Sequence, residues 1–160
     1  MKKYIITLFT IFVLSCHADE NDFEISGVQY TSNFTEDDTK ETPIWKPGSG
    51  EPEILPNKAY QLAKNKFDQE FGKKLPNTTV EHISLRYVKA GTTEAAFWEV
   101  VFIENLSPAE WATHPRTKLA DGSETITLIS PKYFVFMNGK VIGPRTKQYF
   151  EDWLKAKTQK

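Results

Sequence analysis

The sequence is short of several features, and each shortage excludes a class of protein. One cysteine stands among 160 residues, so no disulfide can form within the chain. The 20 basic and 21 acidic residues give a formal net charge of −1, whereas binding of nucleic acid requires a basic face. The apolar run of residues 4–14 is shorter than the roughly 20 residues of a membrane-spanning helix. What remains is ordinary globular composition, 39% hydrophobic and 26% charged, in a length that allows one domain.

Motifs that carry catalysis are also missing. The sequence contains no G-x-S-x-G, no P-loop, no H-E-x-x-H and no cysteine nucleophile in the part that folds. His17, His82 and His114 do not have the spacing of metal ligands, so we predict no metal site and no cofactor. Glu99 stands in an apolar stretch where burial could make it a general base, but pairing with Arg86 on a neighbouring strand is the commoner arrangement. We therefore predict a noncatalytic protein.

The chain begins with the features of a signal peptide. Lys2 and Lys3 form a short positive region before the apolar run of residues 4–14. That run has the length of a signal-peptide apolar region, roughly 7–15 residues. We predict that residues 1–15 are the signal peptide.

The run Val13-Leu14-Ser15-Cys16 resembles the lipobox of bacterial lipoproteins. The resemblance implies that Cys16 is acylated and becomes the first residue of the mature chain, which anchors the protein in the membrane. In that family the residue after the cysteine guides sorting. His17, in place of the Asp that signals inner-membrane retention, favours the outer membrane, with the protein facing the periplasm. A plain secretory signal with a coincidental cysteine stays open as the alternative.

Residues 16–53 are predicted to form a lipidated, mostly flexible tether. The later part of this segment is rich in acids, Thr, Pro and Gly, and cannot bury enough apolar surface to offset its ordering entropy. Random-coil scaling gives about 37 flexible residues an r.m.s. span of ~35 Å. Residues 22–30 are the exception, since Phe23 and Ile25 could form a short strand. An added edge strand and an unpaired linker segment stay open as alternatives.

A single domain is predicted over residues 54–160, beginning with a helix. Pro56 suits the first turn of a helix, where its missing N–H costs nothing. Apolar residues then recur at helical spacing up to Gly72, which is placed to stop the helix. The members of this face are Ala59, Leu62, Ala63, Phe67 and Phe71.

Strand-like stretches follow this helix. Residues 80–88 alternate apolar and polar side chains, which indicates one buried face. Residues 95–103 are apolar on both faces apart from Glu99, which is typical of a central strand covered on both sides. A third region comprises residues 125–129 and 133–137.

The end of the domain contains a turn and a second helix. Asn138-Gly139 predicts a type I′ hairpin turn, and Gly143-Pro144 ends the returning strand. The apolar stripe of the following helix comprises Tyr149, Phe150, Trp153 and Leu154. This order predicts an α+β fold: a helix packed on an antiparallel sheet of three to four strands, with a C-terminal helix.

Three parts of the domain resemble PepSY-type and cystatin-like α+β domains: the helix of residues 59–71, the strand of residues 97–102, and residues 133–142. The last of these, YFVFMNGKVI, is similar to the closing hairpin of PepSY domains. The resemblance implies contact with peptides or proteases through the sheet edge and loops. The long insert after residue 105 and the extra C-terminal helix depart from a minimal PepSY unit.

The insert is the predicted site of partner contact. Ser107-Pro108-Ala109-Glu110 is a capping box that predicts one short helical turn carrying Trp111. His114 and Arg116 follow in a polar loop, and long loops in small domains are often functional. An aromatic ring, a histidine and a cation together suit an anionic or peptide ligand. The alternative is that Trp111 fills the sheet edge and the rest is solvated.

Together these features predict a membrane-tethered bacterial envelope lipoprotein, anchored through Cys16. Its domain is predicted to act as a noncatalytic protein-binding, peptide-binding or inhibitory module, with an unknown envelope protein or peptide as partner. One alternative is an NTF2-like pocket enzyme or small-ligand binder, in which Glu99 would converge with His82 or His114. Another alternative is an immunity-type lipoprotein with one protein partner.

Overall fold

The computed structural model describes residues 22–90, 93–118 and 121–159, so Cys16 and the predicted signal peptide lie outside the described residues. The helices and strands of the described chain come in the following order: β1 Asp22–Ile25, β2 Val28–Thr31, α1 Glu36–Thr39, α2 Pro56–Glu70, β3 Thr78–Ala90, β4 Thr93–Glu104, α3 Pro108–Thr113, β5 Arg116–Lys118, β6 Glu124–Ile126, β7 Lys132–Phe136, β8 Val141–Ile142, β9 Arg145–Thr146 and α4 Lys147–Thr158.

The main sheet has four antiparallel strands in the order β3-β4-β7-β8. Two smaller antiparallel sheets accompany it, one of order β1-β2-β9 and one made of β5 and β6. The predicted fold class is confirmed: an α+β fold, with a helix packed on a four-stranded antiparallel sheet and a C-terminal helix.

Helix α2 covers one face of the main sheet with the predicted apolar side chains. Ala59, Ala63 and Phe67 are buried, and the Phe67 ring stacks on Phe102 of β4 with 4.7 Å between ring centroids. The helix ends where predicted, because the N–H of Gly72 donates to the Phe67 carbonyl at 3.1 Å. A Cβ at Gly72 would lie 2.8 Å from the Asp68 carbonyl oxygen, so this close approach requires glycine.

The opposite face of the sheet is covered by a segment that we call the strap, residues 32–42. Its Phe34 ring packs on Phe97, Phe134 and Phe136, with centroid distances of 5.0, 5.0 and 5.5 Å. Strand β4 is therefore covered on both faces, as its apolar pattern predicts. The covering segment comes from the stretch predicted to be a tether.

The expectation of a mostly flexible tether is corrected by this packing for residues 22–42. Strands β1 and β2 form a hairpin that pairs with β9, so residues 22–30 add strands to a small separate sheet and not to the main one. Phe23 stacks on Tyr30, and both rings contact Phe71 at the end of α2. Aromatic side chains thus give this polar segment enough buried surface to fold against the domain.

The turn between β7 and β8 differs from the predicted type. A type I′ turn needs positive φ at both central residues, but only Gly139, at +83°, has one in the Asn138-Gly139 pair. The Phe136 N–H donates to the Lys140 carbonyl at 2.9 Å, which closes a loop of three residues. Three-residue hairpin loops with glycine in the left-handed region are the next most common type.

Helix α4 buries little of its predicted apolar stripe. Phe150 and Trp153 are half-buried, whereas Tyr149 and Leu154 are exposed. The Trp153 indole N–H donates to Asp37 Oδ2 at 2.6 Å, which attaches the helix to α1. No helix in the described part of the chain is both long enough and apolar enough to cross a membrane.

Candidate functional site

The predicted partner-contact residues lie in an appendage that we call the arm, residues 105–118 and 121–130. Backbone hydrogen bonds attach the arm to the domain at both of its ends, after β4 and before β7. The Asn105 N–H donates to the Asn77 carbonyl at 2.6 Å, and the Glu104 N–H donates to the Ile129 carbonyl at 3.1 Å. Beyond this base the arm extends as helix α3 and the β5–β6 hairpin.

Helix α3 starts at the predicted capping box. The Glu110 N–H donates to Ser107 Oγ at 3.3 Å, and the Ser107 N–H donates to Glu110 Oε2 at 2.7 Å. The side-chain hydrogen bond with Ser107, together with that backbone bond, lowers the pKa of Glu110. None of the residues of α3 is buried, so the cap and not a core contact sets where this helix begins.

Trp111 lies on α3 with 42% of its surface exposed. This exposure disagrees with the alternative in which Trp111 fills the sheet edge. His114 ends the helix and is half-buried, with its Nε2 3.4 Å from the Thr127 carbonyl oxygen. Arg116 is exposed on β5, opposite Ile126. The three predicted residues therefore follow one another along the arm, two of them open to solvent.

The β5–β6 hairpin gives the arm a polar surface. Lys118 pairs in register with Glu124, and every residue of the two strands except Ile126 is exposed. Asp121 Oδ1 accepts hydrogen bonds from the Ser123 hydroxyl at 2.6 Å and the Ser123 N–H at 2.9 Å, which lower the pKa of Asp121. Such a surface can present an aromatic ring and cations to a partner.

A shallow groove of about 470 Å³ lies at the base of the arm. Residues 76–79, which lead into β3, form one wall, and residues 105–108 and Glu110 form the other. Short polar side chains and prolines dominate this lining, so the groove offers few apolar anchors for a ligand.

The second candidate site is a polar group on the sheet face beyond the strap, which we call the outer cluster: His82, Ser84, Arg86 and Glu99. Arg86 Nε and Nη2 lie 3.2 and 3.0 Å from Glu99 Oε1. Ser84 Oγ lies 3.4 Å and His82 Nε2 3.6 Å from the same oxygen. The predicted pairing of Glu99 with Arg86 is confirmed.

The outer cluster brings Glu99 close to His82, an acid and a histidine that the pocket-enzyme alternative requires to converge. The arrangement is open, because 55% of the Arg86 side chain and 46% of the His82 side chain are exposed. His114 belongs to the arm and hydrogen-bonds to the Thr127 carbonyl instead of Glu99. Across the described ranges, no group of three or more metal-binding side chains lies close enough to hold an ion.

A third polar group was not foreseen from the sequence. The Asp38 carboxylate accepts hydrogen bonds from Arg145 Nη1 and Nη2 at 2.7 and 2.8 Å, and Lys140 Nζ donates to the Asp38 carbonyl at 2.8 Å. The signal in the sequence is the capping box formed by Thr35 and Asp38, which marks the start of α1. These contacts fix the strap and do not form a ligand site.

The comparisons with known proteins return no match: no family model, no curated protein and no solved structure matches the chain. The resemblance to PepSY-type and cystatin-like domains, and that of the first 16 residues to bacterial lipoproteins, therefore stay predictions.

Proposed function

We propose that this chain is a lipid-anchored protein of the bacterial envelope whose domain binds a protein or peptide partner without catalysing a reaction. In this proposal Cys16 carries the acyl chains, the protein faces the periplasm from the outer membrane, and the arm contacts the partner. The observation that carries the proposal is the exposed aromatic and cationic surface of the arm, which the core of the domain does not use.

The exposed indole of Trp111 is the feature of the arm that most favours a binding role. Tryptophan is among the residues that contribute most at protein interfaces, and Arg is another. Trp111 and Arg116 stand on two adjacent elements of the arm, joined through the contact of His114 with the Thr127 carbonyl. A partner that covered this surface would bury an indole ring and neutralise a cation in one step.

The surroundings of Glu99 support binding over catalysis. A pocket enzyme would hold this acid in an apolar cavity, where burial could tune it for proton transfer. Here the carboxylate, with 16% of its side chain exposed, pairs with Arg86, whose side chain is 55% exposed. Aromatic rings fill the space between helix and sheet: Phe67 stacks on Phe102, and Tyr133 makes edge-on contacts with both.

A short connection between anchor and domain is part of the proposal. Five residues separate Cys16 from Asp22, where β1 begins. Even a fully extended chain covers at most about 3.6 Å per residue, so this link reaches about 20 Å. The span of ~35 Å expected for a longer tether does not apply, and the partner must come close to the membrane surface.

Affinity capture from envelope membranes tests the binding proposal. The lipidated chain is compared with a variant in which Trp111→Ala and Arg116→Ala are combined, after mild cross-linking and mass spectrometry. We expect one partner that is recovered with the native chain and at least tenfold less with the arm variant, since hot-spot truncations each cost about 2 kcal/mol or more. Equal recovery with both proteins would overturn the assignment of the arm.

A matched control removes a similar pair of side chains from another surface. Leu154→Ala with Lys155→Ala also deletes an exposed apolar side chain and an exposed cation, but on helix α4. This variant is expected to retain the partner, and circular dichroism verifies that both variants fold. Cys16→Ser tests the anchor separately, because it should move the protein from the membrane to the soluble fraction.

A further inference from the structure

Strand β3 is an unusually long edge of the main sheet. It spans 13 residues, and the strand order places it at one end, paired with β4 on one side only. Within the described ranges no other strand pairs with it. An edge strand carries a row of N–H and C=O groups directed away from its neighbour, ready to pair with another chain. Natural proteins usually shorten, bulge or cover such edges.

Only the first residues of β3 carry a feature that hinders pairing with another strand. The register of β3 against β4 shifts between Val80 and His82, so Glu81 forms a bulge. From His82 to Lys89 the register is regular. A bulge blocks strand addition only where it disturbs the ladder, which leaves eight consecutive residues able to accept a strand.

The side chains along this regular stretch alternate between two faces. Ile83, Leu85 and Tyr87 lie on the α2 side and are only half-buried. A strand added at the edge would cover the apolar surface that they still expose. The strand has opposite charges at its two ends, Glu81 and Lys89, and both residues are exposed.

We propose that a second copy of this chain pairs antiparallel with β3, centred on Leu85. Two-fold symmetry then sets Leu85 opposite Leu85 of the partner subunit and Ile83 opposite Tyr87 of the partner subunit. It also brings Glu81, at the bulge that borders the regular stretch, beside Lys89 of the partner subunit at both ends of the interface. Apolar side chains thus meet apolar side chains in the middle, and each terminal charge meets its opposite.

Neighbouring registers lack this complementarity. In a two-fold antiparallel pair, residues that stand opposite each other point to the same face of the sheet. The two-fold axis must therefore lie at a residue of β3, and the nearest alternative registers move it by one residue. Centring on Arg86 would set two guanidinium groups opposite each other. Centring on Ser84 would set His82 opposite Arg86 and bring Glu81 beside Tyr87. Charge complementarity therefore selects Leu85, and the product is one continuous eight-stranded sheet.

Cysteine cross-linking tests the register. Leu85→Cys in a Cys16→Ser background leaves one thiol, and in the proposed dimer two such thiols face each other with Cβ atoms about 5 Å apart. We expect rapid disulfide formation and a product of twice the 18.4 kDa chain. Val80→Cys is the matched control on the same edge, because ten residues of strand, about 33 Å, would separate its two copies. Equal cross-linking at both positions would overturn the proposal.

Charge reversal tests the interface without a cysteine. Glu81→Lys brings a lysine beside Lys89 of the partner subunit at both ends, and we expect this repulsion to weaken self-association about tenfold in analytical ultracentrifugation. The exchange of both charges, Glu81→Lys with Lys89→Glu, is expected to restore the native association. A chain that sediments as a monomer at every concentration, or a double exchange that fails to restore the dimer, would overturn the proposal. Circular dichroism establishes that each variant is folded.

Discussion

Asp38 is the residue that holds the strap on the sheet. Its carboxylate accepts two hydrogen bonds from Arg145 and two from Thr35, from the backbone N–H at 2.8 Å and the hydroxyl at 2.9 Å. Burial alone would raise the pKa of Asp38, but the hydrogen bonds from Arg145 and Thr35 outweigh it and lower the pKa. The folded protein therefore favours the charged carboxylate and depends on it.

Removing this charge should loosen the strap. Asp38→Asn leaves the guanidinium of Arg145 without its carboxylate, and we expect a loss of about 2 kcal/mol in the free energy of unfolding at pH 7, measured in urea. The value is below that of a fully buried pair because 22% of the Arg145 side chain is exposed. Asp37→Asn is the control, since Asp37 is more exposed, and should cost less. Equal losses would contradict the role given to Asp38.

The same carboxylate predicts a pH dependence. The pKa of Asp38 is lower in the folded chain than its unfolded value of about 3.9, so its stabilisation is complete above about pH 4. It is lost as the pH falls through the folded pKa. The stability difference between native chain and Asp38→Asn should therefore be constant from pH 5 to 7 and shrink below pH 4. A constant difference down to pH 2 would show that the charge is not the cause.

Residue pairs differ in how far the sequence predicts them. The contact of Arg86 with Glu99 was predictable, because two consecutive strands place both side chains on one sheet face. The contact of Asp38 with Arg145 joins positions 107 residues apart, on segments without regular periodicity. Local spacing carries no information about such a pair, so only the assembled fold brings it together.

Among the elements, the apolar pattern of β4 indicates that a second layer must cover the sheet, and the strap is that layer. A strand that is apolar on both faces needs two covering layers. Helix α2 was identified as one layer from its periodicity, but the second was not identified because the strap is acidic and rich in threonine. Phe34 is its single large apolar residue, and that ring fills the space among three phenylalanines of the sheet. The average composition of the segment therefore does not reveal the packing contribution of the single Phe34 ring.

Truncation of that ring should expose the sheet. Phe34→Ala removes the edge contacts with Phe97, Phe134 and Phe136 and leaves their rings open, so we expect a loss of about 2–3 kcal/mol in the free energy of unfolding. Binding of a dye that reports exposed apolar surface should increase. Ile44→Ala, in the same stretch of chain but 48% exposed, should change neither quantity. Similar effects of the two substitutions would contradict the assignment of Phe34 as a covering residue.

At the scale of the whole molecule, the domain begins earlier than its composition indicated. The helix and sheet after residue 54 followed from periodicity, whereas the hairpin of β1 and β2 depends on a partner strand more than 100 residues away. Pairing of β2 with β9 draws the N-terminal segment onto the domain and ends any long tether at Asp22. In the proposed anchored form, the distance between domain and membrane would then be set by a few residues.

The proposed anchor makes this distance measurable. Val28→Cys in the β1–β2 hairpin, with Cys16 acylated, accepts a single fluorophore, and energy transfer to a dye at the lipid headgroups reports its height. A link of five residues keeps the domain within about 20 Å, so transfer should be high. Twenty Gly/Ser residues inserted before Asp22 add an r.m.s. length of about 25 Å and should reduce it. Equal transfer in both proteins would refute the short link, whereas failure of the native chain to float with vesicles would refute the anchor itself.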